Sequence, residues 1–198
     1  LEEEKMKTLV VYNHPYEGSF CHAILEKAIK GAQLKGEVDV IDLDSDKFNP
    51  VMNQEDLLGF IKHKIVDEKA QDYTKRIREV DNLVLIFPIW WELIPAMMKG
   101  FIDKVVFPGT FYEYTKSGYG MKTLVSNLKK VTVITTMNTS KLIYRLIYGN
   151  ALKNALVKGT FKKAGIKNVE WISFNMVKSS SVEKRNSWLE TVKRKLSK

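Results

Sequence analysis

The sequence predicts an α/β domain of three layers, with a five-stranded parallel sheet in the order 2-1-3-4-5 held between helices. Three observations carry this. Five short runs rich in β-branched and aromatic residues alternate with segments of helical period, the pattern of strands joined by crossover helices. One run, residues 83–90, is apolar throughout, as a strand covered on both faces must be. The 198 residues carry no Pro/Gly/Ser-rich linker and no internal repeat, and five strands suit this order better than the six-stranded alternative.

In chain order, residues 8–12 form the first strand. Residues 19–35 follow as a helix, with Phe20, Ile24, Leu25, Ala28, Ile29 and Ala32 at helical spacing, Ser19 as N-cap and Gly36 as the stop. Residues 38–42 are the second strand. An irregular acidic stretch, residues 44–53, leads into a polar helical region over residues 54–79, read as two helices or one broken helix. Residues 81–87 make the third strand and residues 96–106 a helix. Residues 131–136 are the fourth strand, residues 149–164 a helix ending at Gly165, and residues 169–174 the fifth strand. Residues 182–196 close the chain as an amphipathic helix with Val182, Trp188, Leu189, Val192 and Leu196 on its inner side. Residues 6–198 are thereby expected to form a single domain. Residues 1–5 precede Met6, which resembles a natural start, and are expected to be an added or disordered segment.

Charge is unevenly spread. The chain carries +9 overall, but residues 1–60 hold 6 Lys/Arg against 12 Asp/Glu and residues 61–198 hold 26 against 11. The lysines are scattered over several helices rather than gathered on one reading helix, so nucleic-acid binding is not expected; solvated basic faces that attract phosphorylated small molecules are. Cys21 is the only cysteine, which excludes an intrachain disulfide, a CxxC pair and a cysteine-rich metal centre. No apolar run approaches the ~20 residues of a membrane span and no signal-peptide pattern opens the chain, so a soluble, cytoplasmic protein is expected.

In an open α/β sheet ligands bind outside the carboxyl ends of the strands, at the switch point. Three loops fall there. Asn13-His14-Pro15-Tyr16-Glu17-Gly18-Ser19-Phe20-Cys21-His22 joins the first strand to its helix and presents backbone N–H groups, the Ser19 hydroxyl and an imidazole, a cradle for an anion or an ordinary capped turn. Pro88-Ile89-Trp90-Trp91 puts two large flat side chains where the third strand ends. Adjacent residues leaving a strand point in different directions, so at least one tryptophan faces the crevice or a partner. Thr135-Thr136-Met137-Asn138 ends the fourth strand and offers hydroxyls and amides to a polar ring edge. Competing motifs fail. Gly31 to Gly36 has P-loop glycine spacing without the Lys-Ser/Thr that must follow, Gly118-Tyr119-Gly120 lacks a third glycine and a preceding strand, and His14, His22 and His63 show no metal-ligand spacing.

Taken together, the His14…Gly18-Ser19-Phe20 loop, Phe48-Asn49-Pro50-Val51-Met52, Pro88-Ile89-Trp90-Trp91, Pro95-Ala96-Met97-Met98-Lys99-Gly100-Phe101-Ile102-Asp103, Gly109-Thr110-Phe111 and Thr135-Thr136 resemble, in order and spacing, the flavodoxin-like NAD(P)H dehydrogenase (quinone) family. That family includes the quinone reductases, the modulator-of-drug-activity proteins and the ancillary quinone reductases of potassium efflux systems. The resemblance implies a homodimer, a tightly held flavin, FAD rather than FMN, and two-electron transfer from NAD(P)H to a quinone or similar acceptor by a ping-pong cycle. Carried over by position, His14, Ser19, Phe20 and Cys21 would hold the flavin phosphate region. Pro88, Ile89, Trp90 and Trp91 would meet the ring's flat side and edge, and Thr135 and Thr136, with Met137 and Asn138, its pyrimidine end. The chain departs from the family at Cys21, often Asn, and at Met137-Asn138, often a Gly pair; Tyr144 and Tyr148 are the only candidates for the proton-donating Tyr and His of some members. The other readings are a flavodoxin-like single-electron carrier and a flavin-binding regulatory subunit of a membrane transporter.

Overall fold

The computed structural model describes residues 5–198, so residues 1–4 of the expected N-terminal addition lie outside the described residues. Five parallel strands, β1 (Met6–Tyr12), β2 (Gly36–Asp42), β3 (Asn82–Pro88), β6 (Lys130–Thr136) and β7 (Val169–Phe174), lie in the order β2-β1-β3-β6-β7. That is the expected 2-1-3-4-5 order once an inserted two-stranded hairpin, β4 (Tyr112–Tyr114) and β5 (Met121–Thr123), is counted in the numbering. Side chains alternate across the sheet, as pleating demands. Val10, Tyr12, Val84, Ile86 and Ile134 pack with Ile24, Leu25 and Ala28 of α1 (Phe20–Ala32) and Val192 of α6 (Val182–Leu196). Leu9, Val11, Leu83, Leu85, Val131 and Val133 face the other way, toward α3 (Glu68–Arg78), α4 (Ala96–Val105) and a π-helical segment, Lys153–Lys162.

Several boundaries differ from the sequence expectation. Helix α1 stops at Ala32, and Gly36 is the first residue of β2 rather than a helix stop. The region over residues 54–79 is two helices, α2 (Gln54–Ile61) and α3; Asn53 and Asp56 close a capping box on the first and Asp67 caps the second. The helix expected over residues 149–164 is π-helical across ten residues. Its buried positions are Leu156, Val157 and Phe161, and just beyond it the bond from Ile166 N to Phe161 O spans five residues, the wide π spacing. A short helix, α5 (Lys141–Leu146), also escaped the sequence reading.

Two of the sequence pieces quoted above meet in space. A Cβ on Gly100 would lie 2.2 Å from the carbonyl oxygen and 2.4 Å from the Cα of Pro50, so α4 can pack on the 48–52 loop only with glycine there. Because the obstacle is backbone, Gly100→Ala is expected to destabilise the fold by about 3 kcal/mol, the upper part of the overpacking range, read as a lower thermal midpoint.

Candidate active site

A cleft of about 310 Å³ opens at the carboxyl edge of the sheet. It is lined by His14, Ser19, Phe20 and Cys21 after β1, Pro88, Ile89 and Trp90 after β3, Thr136, Met137 and Asn138 after β6, and Val177 and Lys178 of a 3-10 turn, Val177–Ser179, after β7. The walls are tied by backbone bonds, Ile89 N to Thr136 O at 2.8 Å and Met137 N to Phe174 O at 2.9 Å. Lys178 N donates to Asn138 Oδ1 at 2.9 Å. Val177 and Lys178 were missed in the sequence, although a fifth strand ending at Phe174 puts the following turn at this edge.

Each wall has its own chemistry. At the first, Ser19 caps α1, its Oγ accepting from His22 N at 3.1 Å, and leaves the helix's first turn facing the cleft. His14 Nδ1 accepts from Tyr16 N at 3.1 Å, so the neutral ring carries its proton on Nε2. Burial holds the His14 pKa below its ordinary value against the attraction of Asp44, which keeps this ring neutral at physiological pH. Beneath the loop the Tyr12 hydroxyl, Asn13 Oδ1 and His22 Nδ1 are buried without hydrogen-bond partners. Cys21 Sγ lies 3.1 Å from Thr136 Oγ1, and burial, opposed by that hydroxyl, pushes the thiol up to about 11. The native thiol is therefore expected to resist iodoacetamide at pH 8 and to react fully in denaturant; prompt labelling of the folded protein would show an open thiol.

The second wall turns on Trp90. Its ring meets His14 edge to face at 6.1 Å and 69°, and it is half-exposed over the cleft. Trp91, expected beside it, is 95 % exposed and lies outside the cleft. The reason is a two-residue turn: Trp90 N bonds Leu93 O at 3.1 Å and Leu93 N bonds Trp90 O at 3.0 Å, with φ of 49° at Trp91 and 63° at Glu92. Left-handed backbone at two residues that are neither Gly nor Asn costs about 1–2 kcal/mol each.

Three further candidate residues are not brought into the cleft lining. Thr135 faces the opposite side of β6 from Thr136, is fully buried, and accepts a hydrogen bond from Trp171 Nε1 at 3.0 Å. Tyr144 is buried outside the cleft, its hydroxyl donating to Glu92 O at 2.9 Å and accepting from Leu152 N at 3.0 Å, so its one proton is already engaged. Tyr148 is half-exposed and also lies outside the lining.

A strained aromatic turn, an α1 N-terminus and a polar strand end converging at the carboxyl edge define a doubly wound α/β domain with its ligand crevice at the switch point. A family profile described as "Flavodoxin-like fold" matches residues 6–198. The chain is 28% identical over 192 residues to an uncharacterized NAD(P)H oxidoreductase of Haemophilus influenzae, covering 96% of this chain and 94% of that one. It is 31% identical over 185 residues to NAD(P)H dehydrogenase [quinone] 1 of Cavia porcellus, covering 83% and 66%. Among solved structures, Smu.1420 of Streptococcus mutans superposes with a TM-score of 0.81 at 29% identity, covering 97% and 99%. An FMN-dependent NADH-azoreductase of Bacillus anthracis, solved in complex with FMN, shares the fold at 16% identity and a TM-score of 0.70, covering 97% and 98%. The chain belongs to the family of flavodoxin-like NAD(P)H oxidoreductases and quinone reductases, and it is an oxidoreductase by that membership.

Proposed function

We propose that residues 6–198 form one flavin-binding unit that takes two electrons from NAD(P)H and passes them to a quinone or similar acceptor in alternating half-reactions. The observation that carries this reading is the cleft itself, whose lining combines aromatic and aliphatic surface from Trp90, Pro88, Ile89 and Met137 with polar groups of Ser19, Thr136 and Asn138. Such a lining fits a flat ring with a polar edge. The first turn of α1 and the Lys178 ammonium suit a phosphate. When bound, the flavin supplies the hydride acceptor and donor. The protein's residues orient it: Trp90 shields one side, and Thr136 and Asn138 offer hydrogen bonds at the strand end. Neutral His14 supplies a donor at Nε2. The proton that accompanies reduction of the acceptor is not assigned to Tyr144, whose hydroxyl is committed to Glu92 and Leu152.

FAD is the form that the resemblance of the His14…Phe20 loop favours; FMN is the form bound by the Bacillus anthracis azoreductase. A homodimer is part of the same reading. Leu142, Leu146 and Ile147 on and after α5, with Trp91 and Leu93 on the turn that Tyr144 ties to it, expose apolar surface that a second copy would cover. A cytoplasmic setting is part of the same proposal, and separately no helix among the described residues is long and apolar enough to cross a membrane. The test is an absorbance spectrum of the purified protein with each flavin, then anaerobic NADPH, then menadione. Bleaching of the flavin band and its recovery with quinone are expected; a protein that binds neither flavin would overturn the proposal.

A further inference from the structure

We infer that Glu92 is a positioning residue for this cleft, the group that holds the Trp90–Leu93 turn in its left-handed form and so keeps Trp90 over the ligand space. The inference rests on the flavin reading only for what the cleft holds. Turns of this geometry are the province of Asn-Gly and Asp-Gly, whose backbones accept positive φ without strain. Here the two central residues are Trp91 and Glu92, so the conformation is imposed from outside the turn.

Glu92 carries the links that impose it. Its carboxylate Oε1 accepts from the Thr139 hydroxyl, and its carbonyl accepts from the Tyr144 hydroxyl at 2.9 Å. Thr139 is itself held, its carbonyl accepting from Asn175 Nδ2 at 3.0 Å, and Asn175 Oδ1 accepts from Ser173 Oγ at 3.0 Å. The turn after β3 is thus fastened to the loop after β6, to α5 and to the segment after β7, while Trp90 meets His14 after β1. The four segments that line the cleft are joined through one two-residue turn. Glu92 Oε2 is buried with no hydrogen-bond partner, so this carboxylate is drawn inward instead of turning out to water, as an unconstrained surface glutamate would.

A glutamate that merely stabilised the fold and one that positions Trp90 respond differently to glycine. Glycine suits φ of 63°, so Glu92→Gly relieves strain while deleting the Thr139 link. The expected result is a thermal midpoint at or above the parent's, with exchange of the Trp90 and Leu93 amides in the ligand-free protein faster by about tenfold or more. Affinity for FMN or FAD, whichever the parent binds, should fall about tenfold, the loss of one charge-assisted hydrogen bond. Glu92→Gln keeps the acceptor and should stay within about twofold of the parent. Thr139→Val should reproduce the glycine effect, and the Glu92→Gly, Thr139→Val pair should be no worse than either alone. Parental amide exchange in Glu92→Gly, or exchange that rises only together with a lowered thermal midpoint, would overturn the assignment. A parent that binds neither flavin defeats the reading of the site alone, because the exchange measurement still decides whether Glu92 holds the turn.

Discussion

Lys104→Ala should destabilise the protein by about 3–5 kcal/mol, the cost of stranding buried charge. For a chain of this length that is a fall in thermal midpoint of roughly 10 °C. Lys104 is 2 % exposed on α4, with Nζ 3.2 Å from Asp56 and 3.0 Å from Asp67 and 5.8 Å from the Phe48 ring centre. Both carboxylates already work as helix caps, Asp56 in the capping box of α2 and Asp67 at the N-terminus of α3. One ammonium therefore ties the N-terminal turns of both α2 and α3 to α4. Burial works against the charge on Lys104, and the two carboxylates outweigh it, so its pKa is raised. Burial likewise opposes the Asp67 carboxylate, but the Ala70 N–H and Lys104 outweigh it and lower its pKa.

The signs fix the pH window. A lysine with a raised folded pKa contributes fully below its unfolded value of about 10.4, and an aspartate with a lowered one contributes fully above about 3.9. The deficit of Lys104→Ala should therefore be level between roughly pH 5 and pH 9 and shrink below about pH 4, where Asp67 takes up a proton. Lys104→Met combined with Asp56→Asn and Asp67→Asn removes the charges together, keeps an Asn at each cap, and should recover much of the loss. Thermal melts by circular dichroism decide it, and a single mutant that melts within about 2 °C of the parent would show the cluster to be idle.

None of this cluster was legible in the sequence, where Lys104, Asp56 and Asp67 are ordinary charged residues on solvated helices. The sheet was, because β1, β3 and β6 are apolar on both faces and their order follows from alternation with helices. What escaped was short or irregular. Strands of three residues, as in β4 and β5, and a six-residue helix, as in α5, are too brief to show a period, and the widened turn over Lys153–Lys162 is visible only once the core has chosen which side chains it buries. At the cleft, the sequence located the loops by topology but not the parity of their side chains. The sequence puts Thr135 and Thr136 side by side at the strand end, but neighbours on a strand face opposite ways and the wall can use only one. The left-handed turn at Trp91 and Glu92 left no trace, since no Gly or Asn marks it.

That turn separates the two tryptophans in a way that can be measured. Trp90→Ala should weaken flavin binding about ten- to hundredfold, the value of one aromatic face against a flat ring of about 1–3 kcal/mol. Trp90 lines the cleft and meets the His14 ring, so its removal takes away contact area from the ligand space. Trp91→Ala should change flavin affinity by less than about twofold when the protein is studied as a dilute monomer, since at 95 % exposure its ring touches almost nothing in its own chain. Its effect should instead fall on self-association, followed by sedimentation across a concentration series, because a large side chain held in solvent by strained backbone has no value to a free subunit. The two outcomes are linked. If Trp91→Ala weakens flavin binding only at concentrations where the parent associates, the exposed ring reaches a ligand through a second copy. If it weakens binding equally at every concentration, the ligand extends past Trp90 onto the outer face of the turn, and the cleft's wall is made by both tryptophans of one chain.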